Sequence, residues 1–196
     1  MISRLSQLHA RVFGQLEGRL DGWFLGLLAR FAFAAVLLVY YLNSAATKVG
    51  DGVLGFFSVG ANAWFQILPP VVEAYGYDVS QVPFFPWGIV VFAGTYAEFV
   101  LPVVIVLGLF TRLASLGMIG FIVVQSYVDI AFHGVDDKTI GAWFDRFSDA
   151  AILDQRLLWV FLLLTLVVKG AGAVSLDWVL RRIVPAMRAS PDRAPA

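Results

Sequence analysis

A chain of 196 residues that is 60% hydrophobic and only 14% charged, with a mean hydropathy of +0.81, is too apolar for a soluble domain, which carries about 25% charged residues. A formal net charge of zero argues against nucleic acid as a partner. The lack of cysteine excludes thiol–disulfide chemistry, cysteine-ligated iron–sulfur clusters and a disulfide-stapled loop, and with only His9 and His133 a bis-histidine haem between helices is not expected.

In residues 1–22, Leu5, Leu8, Val12, Leu16 and Leu20 recur every three or four positions, with Arg4, Arg11 and Arg19 between them. The pattern predicts an amphipathic helix on a membrane surface, or equally one docked on a partner. A first span is expected over 24–46. It contains Arg30 and is too long for a signal-peptide core, so it is read as a retained helix. The loop over 47–84 carries an apolar, aromatic stretch, 53–68, broken by Gly55, Gly60 and Asn62 and closed by Pro69-Pro70. It predicts one short interfacial helix.

A second span is expected over 86–110, kinked at Pro102. Thr111-Arg112 then make a short turn into a third span, 113–132. There Ala114, Gly117 and Gly120 form a smooth stripe, read as packing. A charged second loop covers 133–156, a fourth span 157–174, and a basic tail closes the chain. Both termini and the Thr111-Arg112 turn then share one side with Arg4, Arg11, Arg19, Arg112, Arg181, Arg182, Arg188 and Arg193. The loop side holds Lys48, Lys138, Arg146 and Arg156. This imbalance predicts cytoplasmic termini. The expected organisation is an amphipathic segment at 1–22, a membrane domain at 23–182 and a flexible basic tail at 183–196. The expected fold is all-α: an integral membrane four-helix bundle with an N-terminal amphipathic helix and an interfacial helix in the first outer loop.

Several stretches resemble the DoxX family of membrane proteins. Gly94-Thr95-Tyr96-Ala97-Glu98, Leu101-Pro102 and Leu107-Gly108-Leu109-Phe110-Thr111-Arg112-Leu113-Ala114 are similar to its central signature. Arg30 and Ser44-Ala45-Ala46-Thr47-Lys48 resemble its first helix, Leu68-Pro69-Pro70 its loop, and Gly170-Ala171-Gly172-Ala173-Val174-Ser175-Leu176-Asp177 its closing segment. Ala45 and Ala171 stand where the family commonly has glycine and proline. The resemblance covers roughly 24–182 and implies a four-helix integral membrane protein. Some relatives are subunits of a thiosulfate:quinone oxidoreductase, and others accompany redox, sulfur or metal-handling genes.

A charge at the bilayer centre costs roughly 2.5–3.5 kcal/mol on insertion scales, so intramembrane acids and bases usually pair or work. Glu98 lies about 18 Å from the cytoplasmic boundary and Arg30 about 10 Å, at 1.5 Å per residue. Gln125 shares the Glu98 level, and Thr95, Tyr96 and Tyr127 bring hydroxyls to it. The functional reading is a polar pocket in which Glu98 is the proton-handling, catalytic group and Arg30 its charge partner. Lys48, Thr95, Gln125 and Tyr127 complete a quinone-binding set. A quinone's two carbonyls need donors at both ends, and its reduction needs protons. Against this stand a purely structural Glu98–Arg30 ion pair, snorkelling of Arg30 and Lys169 to the cytoplasmic surface, and Lys48 as an ordinary boundary lysine. Asp129 and His133, four apart, have metal-ligand spacing but read as a solvated helix end.

The expected function is a membrane subunit of a redox complex, binding quinone or another small hydrophobic redox molecule, in the bacterial cytoplasmic (inner) membrane. It would bring no metal or covalent cofactor of its own, so electrons would come from a protein partner or the substrate. Lipid is the second partner, and self-association stays open. The rival reading is a non-catalytic scaffold that recruits or stabilises another protein.

Overall fold

The computed structural model describes residues 2–52 and 54–183; most of the expected basic tail, at 184–196, lies outside them. The described chain is helical, with one isolated bridge between Val49 and Val59. Helix α1 is Ile2–Leu20. Leu5, Leu8, Val12, Phe13 and Leu16 are all exposed on it. Among the described residues, three helices are long and apolar enough to cross a membrane: α2 (Phe24–Ala46), α5 (Phe84–Leu107) and α6 (Thr111–Phe132). Between α2 and α5 stand α3 (Ala61–Ile67) and α4 (Pro69–Ala74). After α6 come α7 (Asp137–Ile140), α8 (Leu153–Lys169) and α9 (Leu176–Ile183).

Helix α2 carries a buried stripe at Ala29, Phe33, Leu37, Tyr41 and Ala45, with the buried Arg30 beside it. Steps of four overrun a 3.6-residue turn, so such a stripe would wind around a regular helix. A π turn at Ala34–Leu38 absorbs part of the excess. In α5 the buried positions are Val91, Thr95, Glu98, Pro102 and Ile105, alternating steps of four and three on one face. The α5 N-terminus is irregular: Phe85 has extended backbone angles, and regular helix runs over Ile89–Leu107.

The first part of α2 packs on α8 and its last part on α5, while α6 packs on both α5 and α8. Their shared core is Phe33, Leu37 and Tyr41 with Ile105, Met118, Ile122, Leu163 and Leu166. A second cluster joins Ala63, Trp64, Val72 and Val82 of the first loop to Val91 of α5. The large side chains on the other helix faces are exposed, including Phe31, Val36, Val123, Leu158, Phe161 and Val168. Apolar surface on this scale is suited to lipid contact.

Three boundaries differ from expectation. The stretch 53–68 is not one helix: a 3-10 turn at Gly55–Phe57 precedes α3, and Pro69 opens α4 instead of closing the earlier helix. The tight turn lies at Gly108 and Phe110, and Thr111 already begins α6. Helix α8 starts four residues before 157 and ends at Lys169, because Gly170 takes φ +76°.

Candidate functional site

Glu98 faces inward, as its stripe requires, and is 4% exposed. Its partner is Lys48, whose Nζ donates to Glu98 Oε2 at 2.8 Å and also to the Ser44 Oγ and carbonyl oxygen, at 2.9 and 3.2 Å. Lys48 is not an ordinary boundary lysine: it is 3% exposed. Its backbone is pinned from both directions. Lys48 N donates to Ala45 O, and its carbonyl accepts from Gly60 N at 2.8 Å. The chain leaving α2 therefore folds back and turns this ammonium inward. Pro102, four residues after Glu98, has no N–H to give the Glu98 carbonyl, which leaves a further acceptor at this level.

Arg30 is not the partner of Glu98. Its guanidinium donates to four backbone carbonyls: Val106 at 2.7 and 3.3 Å, Ala171 at 3.1 Å, Ala173 at 3.4 Å and Val174 at 3.1 Å. Val106 lies eight residues beyond Glu98 on α5, about 12 Å along the axis. One short helix axis cannot bring the arginine to both places. Gly108, with φ +69°, is part of this junction, since a Cβ there would lie 2.9 Å from Arg30 Cζ and 2.5 Å from Ser175 Cβ. Asp177 completes it by accepting from Phe110 N at 2.7 Å and Thr111 N at 2.9 Å, which caps α6. Arg30 is thus a structural clasp. It does not snorkel, and Lys169 pairs with Asp21 at 3.2 Å.

A cavity of about 510 Å³ lies between α5 and α6 and reaches Ser44 and Lys48 at the end of α2. Of the expected binding set, Lys48, Glu98 and Gln125 line it. Arg30, Thr95 and Tyr127 do not. Thr95 is wholly buried in the helix contact, and its Oγ1 has no hydrogen-bond partner among the described residues. Tyr127 is 62% exposed with its ring edge-on to Phe132, because two residues turn an α-helix by about 200° and carry it away from Gln125. Tyr96 is also occupied elsewhere, donating to the Phe56 carbonyl at 2.7 Å.

The hydroxyls that do reach this site are Tyr41, which donates to Gln125 Oε1 at 3.5 Å, and Tyr40, which accepts from Gln125 Nε2 at 3.3 Å. Tyr41, Ser44 and Lys48 recur at steps of three and four, a signal visible in the sequence. At the loop end of the cavity, Arg156 donates to Asp129 Oδ2 at 2.5 Å and to Ser126 Oγ at 2.9 Å. His133 Nε2 lies 3.0 Å from the Gln66 carbonyl. Asp129 and His133 are therefore engaged separately and do not converge as metal ligands.

The arrangement offers a cationic donor, a carboxylate and an amide in the lining of a mostly apolar cavity. It can orient a small amphiphile carrying two oxygen acceptors and exchange a proton with it. No protein-family model matches the chain, and no curated protein or solved structure matches it.

Proposed function

We propose that this chain is a four-span membrane subunit that binds a quinone headgroup between Lys48, Glu98 and Gln125 and passes a proton to it through Glu98. The observation that carries the reading is a buried ion pair, between Glu98 midway along α5 and Lys48 folded back from the end of α2, in the lining of a ligand-sized, mostly apolar cavity. Reduction of the quinone to quinol takes two electrons and two protons. The electrons would come from a donor on a partner protein; Glu98, protonated from water, would hand over the first proton, be reprotonated from water and hand over the second, while the Lys48 ammonium hydrogen-bonds the ring oxygen. The DoxX-like reading belongs to this proposal. Its motif residues are far apart in sequence, yet Lys48 meets Glu98, and Arg30 meets the Gly108 turn and the closing segment 170–177.

Helix α8 serves as the fourth span: its 17 residues are about 26 Å long, close to the hydrocarbon thickness of about 30 Å. Its packing on α2 and α6 supports a four-helix bundle. Helix α1 lies along the cytoplasmic surface, with Leu5, Leu8, Val12 and Leu16 in the lipid, α3 lies at the outer interface, and the membrane is the bacterial inner one. The scaffold alternative would use α1 as a docking helix.

Two measurements test this. Cysteines placed at Gly76 and Lys138 should react with an impermeant thiol reagent applied from outside, and one at Gln7 should not; the opposite pattern defeats the orientation. Glu98→Gln should keep the hydrogen bond to Lys48 and normal membrane abundance. It should still lower quinone-dependent electron transfer by the intact complex about a hundredfold, since an amide cannot exchange protons. Full activity would shift the reading to the scaffold.

A further inference from the structure

We propose that the ligand of this cavity enters sideways from the bilayer, its apolar tail lying in the gap between α5 and α6 over Gly120. The proposal rests on the headgroup reading above and adds its route and the shape of its ligand.

Lys48, Glu98 and Gln125 line the cavity together with Ser44, a second polar group of Gln66, Asp129 and His133 lines its loop end, and the residues between α5 and α6, among them Val90, Ala93, Ala97, Gly117, Gly120 and Val124, carry no polar side chain. Val90 on α5 and Val124 on α6 both line the cavity, and they are 43% and 61% exposed. The gap therefore reaches the outer surface of two membrane-capable helices, where acyl chains would lie. The other way in, from the loop end, is bridged by the contact of His133 with the Gln66 carbonyl and bordered by the Asp129–Arg156 ion pair. An amphiphile dissolved in lipid has its tail where the gap opens and needs no passage through that polar end.

Gly120 borders the gap. A Cβ at Gly117 would come within 3.3 Å of Leu101, and one at Gly94 within 3.1 Å of Ile67, so both permit close packing. A Cβ at Gly120 would meet nothing within 4 Å, yet this residue lines the cavity. Glycine is a poor helix former, and here no neighbour demands it. Its effect is to leave room. A cavity of about 510 Å³ holds a substituted ring and the first units of a chain. A longer chain must leave it, and the open side is over Gly120.

The test uses the intact chain in lipid nanodiscs, titrated with a long-chain isoprenoid quinone and with the same ring lacking a chain, binding being read by quenching of tryptophan fluorescence. Gly120→Leu fills open space and improves helix propensity, so the unfolding midpoint should hold or rise. It should weaken the long-chain quinone about tenfold or more and the chainless ring less than about twofold, because only the tail loses buried methylenes. Equal weakening of both would overturn the sideways route and leave the headgroup site standing. The route also fails if Gly120→Leu binds both quinones as the wild-type chain does. If the wild-type chain binds neither quinone, the headgroup reading itself fails.

Discussion

Lys48→Met should lower the unfolding free energy by about 3–5 kcal/mol, the range for removing one member of a buried ion pair. The loss arises on the other residue. Glu98 would be left 4% exposed with its ammonium donor gone. Glu98→Leu alone should be similarly damaging, since Lys48 Nζ would retain only Ser44. The double variant Lys48→Met, Glu98→Leu removes both charges and fills the site with apolar volume, so it should recover to within about 1 kcal/mol of wild type. Glu98→Gln should fall between, because the amide oxygen still accepts from Lys48. Reversible unfolding in detergent or bicelles across the four proteins forms a double-mutant cycle. A coupling near zero would mean that the pair contributes no stability. A strong coupling with a stable double variant would mean that its charges are retained for something other than folding, as a proton-handling site requires.

The long helices were legible because hydropathy decides them: 24–46, 86–110 and 113–132 lie within a few residues of α2, α5 and α6. Helix α8 was misplaced for two opposite reasons. Gly170-Ala171-Gly172-Ala173-Val174 is apolar but not helical, since Gly170 and Gly172 take φ +76° and +71°. Asp154, Gln155 and Arg156 are polar but helical. Arg156 looked like a loop charge, yet the antiparallel meeting of α6 and α8 places it on Asp129, a pairing that hydropathy does not report. The site was half legible. That Glu98 must face inward follows from the energetics of a membrane acid, and Gln125 follows from depth. The identity of the partner did not follow, because depth ranks residues along the membrane normal but says nothing about a chain that doubles back. Lys48 lies just beyond the helix end in sequence, and the backbone bonds through Ala45 and Gly60 return it to the interior.

Arg30→Leu should destabilise the chain about as much as breaking the buried ion pair does, for a reason unconnected with Glu98. It strips donors from the carbonyls of Val106, Ala171, Ala173 and Val174, and hydrogen bonds to a charged group are worth about 1.5–3 kcal/mol each. Such bonds do not add fully, so the expected loss is about 4 kcal/mol or more. Arg30→Lys keeps a charge but not the planar fork, and one ammonium cannot span the end of α5 and the 171–174 segment together. Roughly half of the loss should remain. Hydrogen exchange should locate the damage: amides at Gly108–Thr111 and Ala173–Asp177 should lose protection before those around Gln125, because Asp177 and Arg30 hold the same junction. Quinone binding by Arg30→Lys should stay within about twofold of wild type, as the residue does not line the cavity. The decisive comparison is Arg30→Leu with Glu98→Gln. Had the two charges been partners, neutralising the second would offset part of the first. With the clasp about 12 Å from Glu98 along α5, the two losses should add to within about 0.5 kcal/mol. A rescue in that double variant would return Arg30 to the site and undo the assignment of Lys48 as the partner of Glu98.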